Sequence, residues 1–409
     1  MSHSLITALD VGTSTIQTVI AERKNGEGLR ILGIGVAPSS GVRKGVVTDI
    51  AEATAAIRRS VTEAERRAGV QAKFCWAAVG GVQTSVASSK GIVAVSRADG
   101  EISSEDVRRV LAAAESFVAR NPNREILHII PRSYRVDDVP DVRDPVGMHG
   151  VRLEVETLII ETSISSLKNL LKCIEGAGLR VEDYIFSPLA ASYAVLSKRQ
   201  KELGALLLDM GGGITHFMIF EEGVPLHAGV LPIGGNLITN DVAIGFQTHI
   251  DIAERIKLAY GSCLPGDIGK RDQVRLAEFL PEETAVRGRR ELAEIIQARL
   301  RDIFELLQKE LKKIDRKQLL PGGVVLVGGS SGLPGIIELT RAEMLLPAEF
   351  GAPEIIGFHD AQTSSSFATV LGVLKWTEMR MEESDAAWTG RLSRLTQSTW
   401  MRWLKSLLP

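Results

Sequence analysis

The chain has 409 residues, 44% of them hydrophobic and 24% charged, with a formal net charge of −2. That length exceeds what one hydrophobic core usually covers and points to two domains, and the near-neutral charge argues against a nucleic-acid binder, which carries a strong basic excess. Cys75, Cys173 and Cys263 lie far apart with no Cys-x-x-Cys pair, so neither a disulfide framework nor a zinc knuckle is encoded and a reducing cytoplasm suits them.

Short β-type runs come first: SLITAL, TIQTVIA and LRILGIGVA, with turn residues at Gly12 to Ser14 and at Asn25 and Gly26. Asp10 and Gly12 interrupt the first apolar run too early for a signal peptide, and no window approaches the ~18 apolar residues of a membrane span. Asp49 caps an expected helix over 49–68, where Ile50, Ala53, Ile57 and Val61 recur at helical spacing. KFCWAAVGG (73–81) reads as a buried strand. Residues 82–161 are long enough for a small α+β insertion: strands VQTSVAS and GIVAVS, a helix from Ser103 to Ala119, then strands EILHII, SYRVDD and LEVETLII. SISSLKNLLKCIEGAG is a helix capped by Ser163. The strand RVEDYIF and the helix PLAASYAVL are then read as opening a second half. A charged helix covers 288–315, a strand and glycine turn 322–336, and a last globular helix 362–376. TEMRMEESDAAWTG (377–390) lacks apolar periodicity and reads as a linker.

One pattern occurs twice. LITALDVGTSTIQTVIAE (5–22) and LLLDMGGGITHFMIFEE (206–222) overlay without a gap, bringing Asp10 onto Asp209, Gly12 onto Gly211, Ser14 onto Gly213 and Glu22 onto Glu221. An Asp-x-Gly turn lets the backbone come close to phosphate oxygens, while the carboxylate can hold magnesium directly or through water. Two such turns facing each other across a cleft can clamp one nucleotide, and that arrangement needs two copies of the fold.

DVGTST, DMGGGITH and VVLVGGSSGLPGI resemble the first phosphate, second phosphate and adenosine motifs of the actin, heat-shock chaperone and sugar kinase superfamily. Within it, PIGGNLITNDVAIGF (232–246), DIAERIKLAYGS (251–262) and SPLAASYAVL (187–196) resemble the bacterial cell-division FtsA family. Spacing supports the same choice, because SSGVRKGVVT (39–48) is too short for the small subdomain of actin and the chaperones, whereas 82–161 sits where FtsA has its displaced subdomain. The resemblance implies an α/β, actin-like (ribonuclease H-like) duplicated fold with two nucleotide-flanking halves. The first core subdomain would be 1–81 with 362–376, the insertion 82–161, the second core subdomain 162–226 with 313–361, and its small subdomain 227–312.

The resemblance also implies residue roles for ATP and Mg2+. Asp10 and Asp209 would hold the metal, and Gly12, Thr13 and Ser14 with Gly211, Gly212 and Gly213 would line the phosphates. Glu254 and Lys257, one helical turn apart, match positions that touch the nucleoside, and Gly328, Gly329 and Ser330 would pass along the adenine. His216 with Asp209 is the candidate catalytic set: a water-orienting His aids in-line attack on the γ-phosphate without a covalent intermediate. Many relatives carry Lys at the position of Thr15, so slow hydrolysis is expected.

The segment RLSRLTQSTWMRWLKSLLP (391–409) places Leu392, Leu395, Trp400, Trp403, Leu404 and Leu407 on one broad helical face and Arg391, Arg394, Arg402 and Lys405 on the other. A helix of ~18 residues, about 27 Å long, with that pattern lies in the headgroup plane of an anionic membrane. FtsA ends in the same way. The resemblance further implies self-assembly into filaments, recruitment of later divisome proteins, and capture of the acidic C-terminal peptide of tubulin-like FtsZ by the 227–312 unit, with Arg289, Arg290, Arg299 and Arg301 as candidate receivers. The site would then be the cytoplasmic membrane face at the division septum. A small-molecule kinase would need a carboxylate over a substrate hydroxyl, and a pilus-type adaptor is disfavoured by the basic terminal helix.

Overall fold

Each copy of the duplicated stretch becomes the centre of a five-stranded sheet in the computed structural model, which describes residues 4–24, 28–118, 122–353 and 365–389. The amphipathic segment expected at 391–409 lies outside the described residues, as does the expected helix start at 362–364. In the first half, strands β1 (Ser4–Val11), β2 (Thr15–Lys24) and β3 (Gly28–Pro38) form an antiparallel meander, followed by helix α1 (Ile50–Ala68) and strand β4 (Phe74–Val79). The insertion contributes β5 (Ser85–Ala94), α2 (Ser104–Phe117), β6 (Arg124–Val136), β7 (Val139–Val142) and β8 (Arg152–Ser163). Then come α3 (Ile164–Gly176), β9 (Arg180–Phe186) and α4 (Ser187–Val195).

The second half repeats the meander as β10 (Ala205–Met210), β11 (Thr215–Glu221) and β12 (Val224–Leu231). It continues through helices α5 (Gly235–Phe246), α6 (Ile250–Tyr260) and α7 (Arg289–Lys313) to β13 (Val324–Val327), α8 (Ile336–Met344) and β14 (Ala348–Phe350), and α9 (Ala368–Thr389) closes the described chain. The first sheet has the order β9-β4-β1-β2-β3 and the second β14-β13-β10-β11-β12. In both, the meander is antiparallel, one later strand pairs in parallel with the central one and the last pairs in parallel with that strand. The gapless overlay in the sequence is therefore a duplication of topology.

Local signals fix the helix ends. Asp49 Oδ1 accepts the Glu52 N–H at 2.9 Å, and Gly69 ends α1 in the left-handed region. Ser103 and Asp106 cap α2 reciprocally, and Ser163 caps α3. The buried stripe of α1, which includes Ala53, Ile57 and Val61, packs with Leu9 and Ile16 of the first sheet and Ile174 of α3. In the insertion, the antiparallel sheet β5-β8-β6-β7 buries Val110 and Leu111 of α2 against Ile129, Val155 and Ile159.

Helices α4 and α9 lie in one hydrophobic core with Ile6 and Val19 of the first sheet and Leu207 and Met218 of the second. They cross so closely that a Cβ on Gly372 would stand 1.9 Å from the Ala190 carbonyl oxygen.

Four expectations need correction. The pairs VQTSVAS/GIVAVS and EILHII/SYRVDD are single strands, β5 and β6; Pro131 is tolerated inside β6 because the ladder bulges there, with Arg132 left between Ser133 and Pro131 in the pairing with β8. The second half does not begin at 162, because β9 pairs in parallel with β4 of the first sheet. Residues 377–389 are helix, continuing α9. Their Glu, Met, Arg and Ala favour helix without apolar periodicity, Thr377 is buried, and Arg380 pairs with Asp183.

His128 of β6 makes stability depend on pH. It is buried, and its Nε2 accepts the Phe186 N–H at 2.9 Å. Burial, reinforced by the Arg380 charge, presses its pKa down from 6.5 to about 3. The unfolded chain thus takes up this proton near pH 6.5 while the folded chain refuses it, and stability falls with pH below 6.5 by up to ~1.4 kcal/mol per unit. Urea unfolding between pH 6.5 and 4.5 should show a shallower loss in His128→Asn than in the unsubstituted protein.

Candidate nucleotide cleft

The two Asp-x-Gly turns close by the same bond. The Gly12 N–H donates to the Thr15 carbonyl and the Gly211 N–H to the Ile214 carbonyl, both at 3.0 Å. Their tips meet across the halves: a Cβ on Gly212 would lie 1.9 Å from Ser14 Oγ and 3.0 Å from its Cβ, so a side chain there would displace Ser14. Ser14 Oγ also donates to Asn236 Oδ1 at 3.3 Å, and Thr13 Oγ1 accepts the Gly45 N–H at 3.0 Å. Around the turns lies a cleft of about 370 Å³, reached by Glu254 and Lys257 of α6, by Gly328, Gly329 and Ser330 after β13, and by Thr369 of α9.

At its floor, Asp10 stands opposite Gln17 in the β1–β2 pair, as Asp209 stands opposite His216 in the β10–β11 pair. Burial first, and the Asp209 charge second, push the Asp10 carboxyl up to about 7, with His216 pulling the other way. Two carboxylates that resist being charged together suit a divalent cation. Among the described residues no three His, Cys, Asp or Glu side chains form a cage for a metal on their own. Magnesium is ordinarily held by one or two carboxylates together with waters and substrate phosphates, so Asp10 and Asp209 fit that ion in the company of a phosphate chain.

Asp209 Oδ2 accepts from Thr369 Oγ1 at 3.3 Å. His216 Nε2 lies 3.2 Å from the Gly80 carbonyl, which can only accept, so Nε2 carries a hydrogen. Nδ1 lies 3.5 Å from Asp209 Oδ2, and in the neutral ring it presents its lone pair there. Two acceptors face each other at that spacing, and the arrangement calls for a donor such as water.

Glu254 and Lys257 are not a solvated surface pair. Lys257 is buried and its Nζ reaches Glu254 Oε2 at 2.6 Å, Thr239 Oγ1 at 2.8 Å and the Gly235 carbonyl at 3.3 Å. Glu254 also accepts from Thr239 Oγ1. Ser330 Oγ donates to the Gly211 carbonyl at 2.9 Å, tying the adenosine-type turn to the second phosphate-type turn.

Each of the four arginines expected to receive a peptide already has a partner within the fold. Arg289 donates to the Tyr260 carbonyl, Arg290 to the Pro265 and Ile268 carbonyls, Arg299 to both oxygens of Asp241, and Arg301 to Glu343. These bonds hold α7 to its neighbours, and Arg301 keeps more than half of its side chain exposed, at 56%. Sequence reasoning missed Gln17, Asn236 and Thr369. The overlay that aligned Asp10 with Asp209 also puts Gln17 on His216, which was signal enough; for Thr369, 160 residues from its partner, no local signal exists.

Residues 206–372 match the family described as "Cell division protein FtsA", and residues 81–161 match "SHS2 domain inserted in FTSA". The "Cell division protein FtsA" of Borreliella burgdorferi is 38% identical over 379 residues, 91% of this chain and 91% of that one. Among solved structures, the PilM-PilN type IV pilus biogenesis complex superposes with a TM-score of 0.66 at 18% identity, covering 90% of this chain and 97% of its own. MreB5 of Spiroplasma citri, solved bound to AMPPNP, superposes at 0.55 and 12% identity over 94% and 98%. Those two likenesses show the actin-like fold, and the near full-length identity to the Borreliella protein carries the rest: the chain belongs to the FtsA family of cell-division proteins.

Proposed function

We propose that the cleft binds ATP with Mg2+ and that nucleotide binding sets the angle between the two halves of a subunit that assembles into filaments on the cytoplasmic membrane. The observation that carries the reading is the pair of identically closed Asp-x-Gly turns, tip to tip over two carboxylates whose charges oppose one another. Phosphate oxygens would meet the backbone of Gly12 to Ser14 and Gly211 to Gly213, with Asp10 and Asp209 holding the metal. Bound Mg2+ would supply the positive charge that Thr15 cannot. Glu254 and Lys257 would face the nucleoside, beside Gly328, Gly329 and Ser330. His216, with its Nδ1 lone pair turned towards Asp209, is suited to orient a water for slow in-line attack. The acidic side chains lining the cleft are Asp10, Asp209 and Glu254, and the last is engaged by Lys257 and Thr239. With Asp10 and Asp209 assigned to the metal, no further acidic side chain among the described lining residues is left as the base that a small-molecule kinase requires.

The terminal segment 391–409 supplies the membrane contact in this reading. Many such segments on one filament bind together far more tightly than one, and the 227–312 unit would hold the FtsZ peptide and so tether FtsZ filaments. The 82–161 insertion would meet later divisome proteins. No helix among the described residues is long and apolar enough to cross a membrane. Flotation with vesicles rich in anionic lipid should carry the full chain upward, and removal of 391–409 should cut the floated fraction at least tenfold. If the full chain stays at the bottom of the gradient, the tether is wrong.

A further inference from the structure

Gln17 is a buried polar residue of the cleft with half its hydrogen-bonding capacity unused. It is 6% exposed. Its Nε2 donates to the Ser366 carbonyl at 3.1 Å, while Oε1 is fully enclosed and has no partner. The Ser366 carbonyl fixes the orientation of the amide, because a flip would bring two carbonyl oxygens together in place of a hydrogen bond. Cross-strand partners share one face of a sheet, so Gln17 stands beside Asp10 as His216 stands beside Asp209. An enclosed acceptor without a donor is costly in a folded protein and calls for a ligand that supplies the hydrogen. A phosphate oxygen cannot supply it, since phosphate only accepts from its surroundings at neutral pH. A water polarised by a cation can.

We propose that Gln17 is a positioning residue whose Oε1 accepts a hydrogen bond from a water in the shell of the divalent cation that Asp10 and Asp209 hold. The inference rests on the nucleotide reading above and deepens it on the metal side. Gln17 orients the shell in the first half, and His216 turns its lone pair to the water of the second.

The test is calorimetry with ADP in the presence of Mg2+ and again with the metal chelated, on the full chain and on Gln17→Leu and Gln17→Glu. Gln17→Leu should lose about tenfold in ADP affinity with Mg2+, the size of one charge-assisted hydrogen bond, and should be unchanged without metal. Gln17→Glu keeps an acceptor and should keep the metal dependence. Thermal unfolding without ligand is the folding control: Gln17→Leu gives up both the unpaired Oε1 and the Nε2 bond to the Ser366 carbonyl, opposing changes that should leave its melting point close to that of the unsubstituted protein. Equal losses with and without Mg2+, or no loss at all, would overturn the role of Gln17 while leaving the nucleotide reading intact. Absence of ADP binding by the unsubstituted chain would overturn both.

Discussion

Asp209→Asn should weaken Mg-ATP binding at least a hundredfold, about 3 kcal/mol, while leaving the ligand-free protein as stable as before or more so. The two effects have opposite signs because Asp209 does two opposed things. With a cation present, its carboxylate is one of two that hold it, and removing one charge from a desolvated cluster costs ~2–5 kcal/mol. Without the cation, its charge is one of the reasons the Asp10 carboxyl sits near 7 instead of in the ordinary carboxylate range. An amide of the same shape ends that repulsion. Calorimetry with Mg-ATP and thermal unfolding with and without the ligand read both halves of the prediction. A variant that binds Mg-ATP like the unsubstituted chain would remove the two-turn clamp as an account of the cleft.

The second large effect is expected far from any motif. Gly372→Leu should destabilise the fold by about 3 kcal/mol or more, at the upper end of overpacking costs, because the first added carbon already stands 1.9 Å from the Ala190 carbonyl oxygen and 2.3 Å from its carbon. That neighbour is helix backbone and cannot turn aside. The crossing of α4 and α9 would open, and Thr369, three residues earlier on α9, would leave Asp209 Oδ2. Nucleotide affinity should therefore fall together with the urea midpoint. Gly266→Ala, where an added methyl meets open space, is the control and should change neither.

The duplication was legible because everything that encodes it is local: two apolar runs around an Asp-x-Gly turn fix an antiparallel pair and its register within twenty residues. The actin-like architecture followed from that and from the glycine turn at 328–330. Parallel pairing was not legible. Strand β9 joins β4 across about a hundred residues, and nothing in RVEDYIF says which sheet it enters. The stretch 377–389 was misread because it displays no apolar period, so its helix-forming composition was the only signal. The arginines of α7 mark the limit of reading charge from sequence: a row of guanidinium groups looks available until Asp241, Glu343 and three backbone carbonyls are found to hold it. The cleft itself divides the same way. Its glycines and acids belong to recognisable turns, whereas Gln17 belongs to none and was visible only as the silent counterpart of His216.

The pairing of those two residues has a wider consequence. The cradle is built on a near-dyad, yet a nucleoside triphosphate has a head and a tail. No molecule of that kind can satisfy both copies equally, so each copy is free to drift towards a separate duty as soon as the pair exists. Asp10 with Gln17 and Asp209 with His216 record that divergence: the same corner of the same sheet, written twice, ends in an amide that can only hold and an imidazole that can also take.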